Sequence, residues 1–213
     1  MVLKMKNKIA IIANGTINDT NFHKNLLEDT DIIICADGGA DNAKKMSVIP
    51  DYIVGDLDSA SQSVIDFFKD KKTKIIKDTN PNKTDLELAI YLAESLNPNE
   101  IIILGALGHR IDHTLANIYC LNQIKSNVKA RIIDEKNIIQ LVDKQVEIRG
   151  KKEDLVSVIP ISDIFGLNYE GLKWNLRNFD AKAGWFAISN RLSNEKAKIK
   201  LKEGKILVIR VKD

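Results

Sequence analysis

Acidic residues directly follow several short apolar segments of this 213-residue chain. Asp37 comes after residues 32–36, and Asp56 and Asp58 come after residues 52–54. In an α/β sheet of parallel strands, ligands bind beyond the carboxyl ends of the strands, so we expect these carboxylates to meet at one edge. Clustered carboxylates repel one another unless a cation is bound, and oxygen ligands suit Mg²⁺. The pattern therefore predicts a site for a divalent cation that carries a polyphosphate.

Lys83, Thr84 and Asp85 stand at the start of a helix predicted over residues 85–96. A carboxylate at a helix N-terminus can bind a metal whose other ligands are phosphate oxygens, and Lys83 would add positive charge. The alternative is local, because Asp85 or Thr84 can cap the helix and Lys83 can be an exposed loop residue.

A glycine-containing loop, residues 105–113, lies between a strand predicted over 100–104 and a helix predicted over 112–124. The backbone N–H groups of such a loop can face an anion, and a guanidinium binds phosphate in a bidentate manner. Its spacing fits neither a Walker A motif nor a dinucleotide-binding fingerprint. Helix capping by Asp112 and local packing of His113 are the alternatives. The candidate residues in this loop are Gly108, Arg110, Asp112 and His113.

Turns and helix caps are also the alternatives for the first two acidic segments. Asp37 with Gly38 and Gly39 is typical of a turn, and Asp58 can cap the helix that follows it. The predicted sheet brings all these loops to one edge, and four independent caps sharing an edge are less probable than one site.

Strands alternate with helices over residues 1–136, which predicts a Rossmann-like α/β domain. We expect about six mostly parallel strands with helices on both faces. Residues 137–213 show only short segments of strand length, which predicts an antiparallel β-sandwich. Residues 172–176 alternate as a half-buried strand does. On the helix predicted over 112–124, the side chains expected to point inward are Leu115, Ile118, Tyr119 and Leu121.

Composition excludes several classes of protein. The net charge is only +3 and the lysines are spread along the chain, so a nucleic-acid binder is not indicated. Cys35 and Cys120 have no zinc-site spacing and are expected to be buried thiols. The apolar run after the basic start is too short for a signal peptide or a membrane span, so we expect a cytoplasmic protein without membrane or nucleic-acid partners.

Six segments of the chain resemble the thiamine pyrophosphokinase family in order and spacing. Four are Cys-Ala-Asp-Gly-Gly-Ala at 35–40, Gly-Asp-Leu-Asp-Ser at 55–59, Lys-Thr-Asp at 83–85 and Gly-His-Arg-Ile-Asp-His-Thr-Leu-Ala-Asn at 108–117. Two others, Gly-Leu-Lys-Trp-Asn-Leu at 171–176 and Ile-Ser-Asn at 188–190, resemble the thiamine-binding segment of that family.

The resemblance implies a homodimer that transfers pyrophosphate from ATP to the hydroxyl of thiamine with Mg²⁺, giving thiamine diphosphate and AMP. An ATP and Mg²⁺ site would lie in the first domain and a thiamine site in the second. The implied catalytic residues are Asp56, Asp58, Asp85, Asp112 and Arg110, of which Asp56, Asp58 and Asp85 would hold the metal. The implied ATP-binding residues are Asp37, Gly38, Gly39, Lys83, Thr84, Gly108, Arg110 and His113. The implied thiamine-binding residues are Trp174, Ser189 and Asn190.

Two other functions stay open at this point. The chain can be a pyrophosphokinase for another small alcohol, such as a hydroxymethyl pterin, or a non-catalytic module that senses a nucleotide or thiamine. Trp174 also has a packing alternative, because it alternates with leucines. Stacking on a flat cationic ring is the functional interpretation of this indole.

Overall fold

The computed structural model describes residues 7–212. The basic start of the chain, on which part of the signal-peptide argument rests, lies mostly outside these residues. The chain divides into two compact units, the first ending at Glu135 and the second beginning at Lys136.

The first unit alternates strands and helices. Its strands are β1 (Lys8–Ile12), β2 (Ile32–Ala36), β3 (Tyr52–Gly55), β4 (Lys74–Lys77), β5 (Glu100–Leu104) and β6 (Lys129–Ile133). Its helices are α1 (Thr20–Leu26), α2 (Gly39–Lys45), α3 (Gln62–Asp70), α4 (Asp85–Ser95) and α5 (Ile111–Cys120), and a short 3-10 helix (Leu121–Gln123) follows α5. The predicted Rossmann-like unit with six strands is confirmed, whereas α1 was not predicted.

The strands of the first unit pair in parallel in the order β6-β5-β1-β2-β3-β4. The order reverses direction between β1 and β5, so the loops that follow these two strands diverge and leave a crevice. The central strands are continuously apolar because both of their faces are covered: the backbone and side chains of Ile9, Ile11 and Ile101 are fully buried. This arrangement predicts the ligand position at the carboxyl ends of β1 and β5.

The prediction for the apolar face of α5 was wrong for two of its residues. Leu115 and Tyr119 are exposed, at 52% and 57%, and Ile111 at the start of the same stripe is 67% exposed. Leu121 is buried as predicted, but it lies in the 3-10 helix that follows. The sequence pattern identifies an apolar stripe correctly, but periodicity alone does not say which surface covers it.

The second unit consists of two antiparallel sheets. Its strands are β7 (Asn137–Val142), β8 (Gln145–Arg149), β9 (Leu155–Pro160), β10 (Ile164–Glu170), β11 (Phe179–Ala181), β12 (Ala187–Arg191), β13 (Lys196–Lys200) and β14 (Ile206–Val211). One sheet has the order β12-β9-β14-β7 and the other the order β11-β10-β13-β8. Both sheets contribute to one core, which includes Val158, Val208, Leu167 and Ile199. The predicted β-sandwich is therefore confirmed.

Residues 172–176 do not form the predicted strand. They belong to a loop in which Leu172 makes an isolated bridge to Leu192, while β10 and β11 on either side of this loop were not predicted. Leu172 is buried, Leu176 packs partly buried against the core, and Trp174 is exposed, so the apparent alternation comes from a loop that anchors its two leucines on the core. Among residues 7–212, no helix is both long enough and apolar enough to cross a membrane.

Candidate active site

Asp37 is the buried centre of an acidic cluster at the carboxyl edge of the first sheet. It follows β2, has a φ of 39°, and its backbone N–H donates to the carbonyl of Val54 at 2.9 Å. Its two carboxylate oxygens accept the backbone N–H groups of Ser59 at 2.9 Å and Ala60 at 3.2 Å. Asp37 therefore fixes the loop that carries the next two acidic residues.

Asp56 and Asp58 belong to a tight loop after β3. The N–H of Asp58 donates to Oδ1 of Asp56 at 3.1 Å, and the hydroxyl of Ser59 donates to Oδ1 of Asp58 at 2.9 Å. Leu57 between them has a φ of 66°, a left-handed conformation that is costly for a leucine. The strained turn directs both carboxylates to the same side of the chain.

Carboxylate oxygens of Asp37, Asp56 and Asp58 lie within 4.8 Å of one another, and among the described residues they form the only His, Cys, Asp or Glu cluster of this kind. An all-oxygen donor set of this charge fits a hard divalent cation such as Mg²⁺. The predicted metal ligands were Asp56, Asp58 and Asp85, whereas the cluster contains Asp37 and not Asp85. The sequence does not show how close the end of β2 brings Asp37 to the other two carboxylates.

Asp85 lies beside this cluster at the start of α4. Burial raises the pKa of Asp85, and the negative charges of Asp37 and Asp56 raise it further. Burial also raises the pKa of Asp37, although the N–H groups of Ser59 and Ala60 oppose that shift. A bound cation would offset the repulsion between these carboxylates and the cost of burying their charge. The raised pKa values therefore agree with the predicted cation site.

The helix-cap alternatives fail for three of the acidic residues. α4 is capped by Thr84, which forms a capping box with Glu87, and Asp85 is the first helical residue. α3 begins after Ser61 and not after Asp58, and α5 begins after Arg110 with Asp112 in its first turn. The carboxylates of Asp58, Asp85 and Asp112 are therefore free of capping roles.

A cavity of about 740 Å³ opens at the carboxyl ends of β1 and β5. Its walls come from the loop after β1, the loop after β5, the first turns of α5 and the start of α4. The predicted site residues that line it are Thr84, Asp85, Gly108, Arg110, Asp112 and His113. Asp85 thus belongs to both features, because it lines the cavity and lies beside the acidic cluster.

The wall formed by Asn14, Gly15 and Thr16 was missed by the sequence reasoning. Its backbone is joined to the loop after β5, with the N–H of Gly15 donating to the carbonyl of Gly105 at 2.6 Å. Asn117 of α5 was missed as well; its amide donates to the carbonyl of Ala106 at 2.8 Å. In the sequence, Asn14-Gly15 marks only the end of a strand, because its place in the cavity wall depends on β1 and β5 being neighbours.

Arg110 is paired with Asp112 in a bidentate ion pair. Nε of Arg110 lies 3.2 Å from Oδ1 of Asp112, and Nη2 lies 2.5 Å from Oδ2. This hydrogen-bonded pairing lowers the pKa of Asp112 to about 2, so Asp112 is ionised at neutral pH. Both side chains are exposed at the cavity, where the guanidinium can bind an anion in addition to its carboxylate partner.

Lys83 is not among the residues that line the cavity. Its ammonium lies 3.6 Å from the centre of the Tyr91 ring, a cation–π contact between the loop before α4 and the exposed side of that helix. A role of Lys83 in binding ATP remains a prediction, and it requires the side chain to leave this ring.

The three thiamine candidates lie together in the second unit. Trp174 is 57% exposed, which contradicts its packing alternative. Asn190 is buried, and its side chain bonds the backbone of Trp174 twice, accepting the N–H at 3.1 Å and donating to the carbonyl at 2.7 Å. Ser189 is exposed with a φ of 60°. Asn190 therefore holds the loop in place. The indole is exposed, and the ammonium of Lys173 lies 4.9 Å from its ring centre, so a cationic ring stacked on that face would take the place of this ammonium.

Each of the two units matches a known family of protein domains. Residues 23–133 match the family model of the thiamin pyrophosphokinase catalytic domain, and residues 140–206 match that of the thiamin pyrophosphokinase vitamin B1 binding domain. The chain is 29% identical to the thiamine pyrophosphokinase of Bacillus subtilis, over 96% of this chain and 99% of that protein. It is 30% identical to thiamine pyrophosphokinase 2 of Oryza sativa, over 78% of this chain and 73% of that protein.

Solved structures agree with these matches. The crystal structure of thiamine pyrophosphokinase from Bacillus subtilis superposes with a TM-score of 0.85 at 29% identity, covering 97% of this chain and all of that one. The thiamin pyrophosphokinase from Candida albicans has the same fold, with a TM-score of 0.82 at 24% identity, covering 97% of this chain and 90% of that one. The catalytic family model alone spans more than half of the sequence, and the acidic cluster lies within it. The chain belongs to the thiamine pyrophosphokinase family.

Proposed function

We propose that this protein transfers pyrophosphate from ATP to the hydroxyl group of thiamine, giving thiamine diphosphate and AMP. One observation carries the proposal: an acidic cluster meets, at Asp85, a cavity that is lined by Arg110 and by the first turn of α5, at the carboxyl edge of a parallel sheet. In a chain of this family, that combination provides for a metal and for a polyphosphate at the same place.

Asp37, Asp56 and Asp58, with Asp85 beside them, would hold Mg²⁺. The carboxylate donor set and the raised pKa values of Asp37 and Asp85 support this assignment. When bound, the cation would neutralise charge on the phosphate oxygens. The strained turn at Leu57 supports a preorganised site. The free-energy cost of its left-handed backbone is offset when the chain folds, so it does not weaken binding of the cation.

The cavity would bind the phosphates of ATP. Arg110 and the N-terminal turn of α5 supply positive charge on one wall, and the loops after β1 and β5 supply the other walls. The ion pair with Asp112 would keep the guanidinium at the cavity mouth. Thr84 and His113 also face this space. Gly38 and Gly39 are not among the residues that line the cavity, so their roles in binding ATP remain predictions.

The reaction is a nucleophilic substitution at the β-phosphorus. The hydroxyl oxygen of thiamine forms a bond to that phosphorus, the bond from the phosphorus to the oxygen bridging to the α-phosphate breaks, and AMP leaves with that oxygen. The proton of the alcohol is released to water. A primary alcohol is a poor nucleophile, so we expect the rate to depend mostly on positioning and on stabilising charge. Arg110 would stabilise charge that develops on the phosphates.

Thiamine would contact Trp174 and Ser189 in the second unit. An exposed indole is a suitable partner for a flat cationic heterocycle. The buried amide of Asn190 would act by holding the backbone of Trp174. The match of this unit to a vitamin B1 binding domain supports thiamine over a hydroxymethyl pterin as the alcohol.

We further propose that the protein acts as a homodimer. The exposed stripe of Ile111, Leu115 and Tyr119 on α5 supports this, because a monomer seldom leaves such a stripe in water. The residues of α5 that line the cavity lie on a different face of the helix. A second copy could therefore cover the stripe without occupying the cavity. The cytoplasmic location stays a prediction.

The function is tested by incubating the purified protein with ATP, Mg²⁺ and thiamine. We expect AMP and thiamine diphosphate in equal amounts, and neither product when Mg²⁺ is replaced by a chelator. A parallel reaction with a hydroxymethyl pterin distinguishes the alternative enzyme. ATP binding without turnover on either alcohol would contradict the proposal and favour a sensing module.

A further inference from the structure

Asn42 of α2 is a buried polar residue that contacts the wall of the cavity from behind. It is 5% exposed, and its side-chain nitrogen donates to the carbonyl of Ala13 at 2.9 Å and to that of Gly15 at 3.0 Å. Ala13 and Gly15 both line the cavity, whereas Asn42 does not. One amide group thus holds two carbonyls, two residues apart, in the cavity wall that follows β1.

Two glycines bring α2 close enough for this contact. A Cβ atom on Gly39 would lie 2.0 Å from the carbonyl oxygen of Ile12, and one on Gly38 would lie 2.4 Å from Nδ2 of Asn14. A side chain at position 39 would meet backbone atoms and push the helix away from the end of β1, whereas one at position 38 would displace the side chain of Asn14. Asn42 follows Gly39 by three residues, so it lies on the same face of α2 and reaches the same loop.

The contact extends to the opposite wall of the cavity. The N–H of Gly15 donates to the carbonyl of Gly105 at 2.6 Å, and the N–H of Thr16 donates to that of Leu107 at 2.8 Å. A displacement of the loop after β1 would therefore displace the loop after β5. The start of α2 immediately follows Asp37, so the same short helix joins the acidic cluster to both loops.

We propose that Asn42 is a positioning residue for the nucleotide, which sets the separation between the cavity walls and the acidic cluster. This inference rests on the proposed function. Without the amide, the carbonyls of Ala13 and Gly15 would lose their buried donor, and the loop would move to find other partners. The loss should appear mainly in the binding of ATP and much less in the binding of thiamine.

The experiment compares Asn42→Ala and Asn42→Asp with a matched control, Asn168→Ala. Asn168 of the second unit also bonds backbone groups, donating to the carbonyl of Gly166 at 2.7 Å and accepting the N–H of Asn178 at 2.9 Å. Calorimetry measures the binding of ATP with Mg²⁺, steady-state kinetics give KM for each substrate, and circular dichroism reports folding.

We expect Asn42→Ala, which loses both hydrogen bonds to the loop, to weaken ATP binding and raise KM for ATP by about fivefold to tenfold, with KM for thiamine unchanged. Asn168→Ala should lower the melting temperature without changing KM for ATP. In Asn42→Asp, only a protonated carboxyl can donate to the carbonyls. Its KM for ATP, divided by that of the wild type at the same pH, should therefore fall as the pH is lowered from about 8 to about 6, because burial raises the pKa of a carboxyl group.

Wild-type ATP affinity in a folded Asn42→Ala would overturn the proposal for Asn42 alone. If that variant does not fold, a KM ratio of Asn42→Asp that stays constant with pH would overturn it. A wild-type protein that does not bind ATP would overturn the proposed function as well, so the two failures are distinguishable.

Discussion

Gly55 leaves no room for a side chain beside the carboxylate of Asp85 at the end of β3. A Cβ atom at position 55 would lie 2.6 Å from Oδ1 of Asp85 and 2.8 Å from Cβ of Asp37. The φ of Gly55 is 150°, a conformation that side chains rarely adopt. The acidic cluster can form only because the residue before Asp56 has no side chain.

Gly55→Ala is therefore expected to abolish Mg²⁺-dependent turnover. The added methyl group would separate Asp85 from Asp37, and we expect a loss of stability of about 1–3 kcal/mol from overpacking and backbone strain. Activity at increasing Mg²⁺ concentrations and thermal unfolding measure the two effects.

The matched control is Gly184→Ala in the second unit. Gly184 also has a positive φ, 96°, but nothing lies within 4 Å of its added Cβ. This control retains the conformational strain and lacks the steric contact, so it should lose stability and keep its activity. Normal Mg²⁺ dependence in Gly55→Ala would contradict the assignment of the cluster.

Asp85→Asn is expected to stabilise the metal-free protein at neutral pH. Burial and neighbouring carboxylates raise the pKa of Asp85 in the folded state, so the folded state binds the proton more tightly than the unfolded state does. Stability is then lost as the pH rises from the ordinary value of 3.8 through the raised pKa, and this loss persists at higher pH. Removing the ionisable group should raise the melting temperature at neutral pH by about 2–4 °C.

The difference between Asp85→Asn and the wild type should shrink at low pH, where Asp85 is protonated. Addition of Mg²⁺ should raise the melting temperature of the wild type more than that of the variant, because the cation relieves the same repulsion. Activity should fall strongly. A variant that is less stable than the wild type at neutral pH, with no response to pH, would show that Asp85 is a structural residue.

The sequence predicted that acidic residues meet at the carboxyl edge of the first sheet, because each of Asp37, Asp56 and Asp85 stands at a recognisable strand end or helix start. It did not predict the wall at Asn14, since that role depends on β1 lying beside β5, and strand order is set by long-range packing. It also assigned Leu115 to the core, because an apolar stripe has the same period whether a sheet or a second molecule covers it.

Trp174→Ala and Trp185→Ala should separate thiamine binding from packing. Trp174 is exposed, so its removal should change stability by less than about 0.5 kcal/mol and raise KM for thiamine about tenfold. Trp185 packs against the sandwich core, with its ring centre 5.0 Å from that of Phe179. Its removal should lower stability by about 2–4 kcal/mol.

Kinetics with each substrate and thermal unfolding of both tryptophan variants give the comparison. KM for ATP should be unchanged in Trp174→Ala, since the cavity lies wholly in the first unit. An unchanged KM for thiamine in a folded Trp174→Ala would show that the exposed indole does not contact the substrate.

Leu115→Glu should convert the proposed dimer into monomers without unfolding the chain. Leu115 is the centre of the exposed stripe on α5, where a charge would be solvated in one molecule but buried without a partner in an interface. The matched control is Ile49→Glu, because Ile49 is 54% exposed and lies outside that stripe.

Light scattering after size-exclusion chromatography should give a dimer for the wild type and for Ile49→Glu, and a monomer for Leu115→Glu. A monomeric wild type would remove the dimer from the proposed function. A Leu115→Glu variant that is still a dimer would show that the interface lies elsewhere. A glutamate at position 115 is tolerated in a dimer only if that face of α5 stays in water.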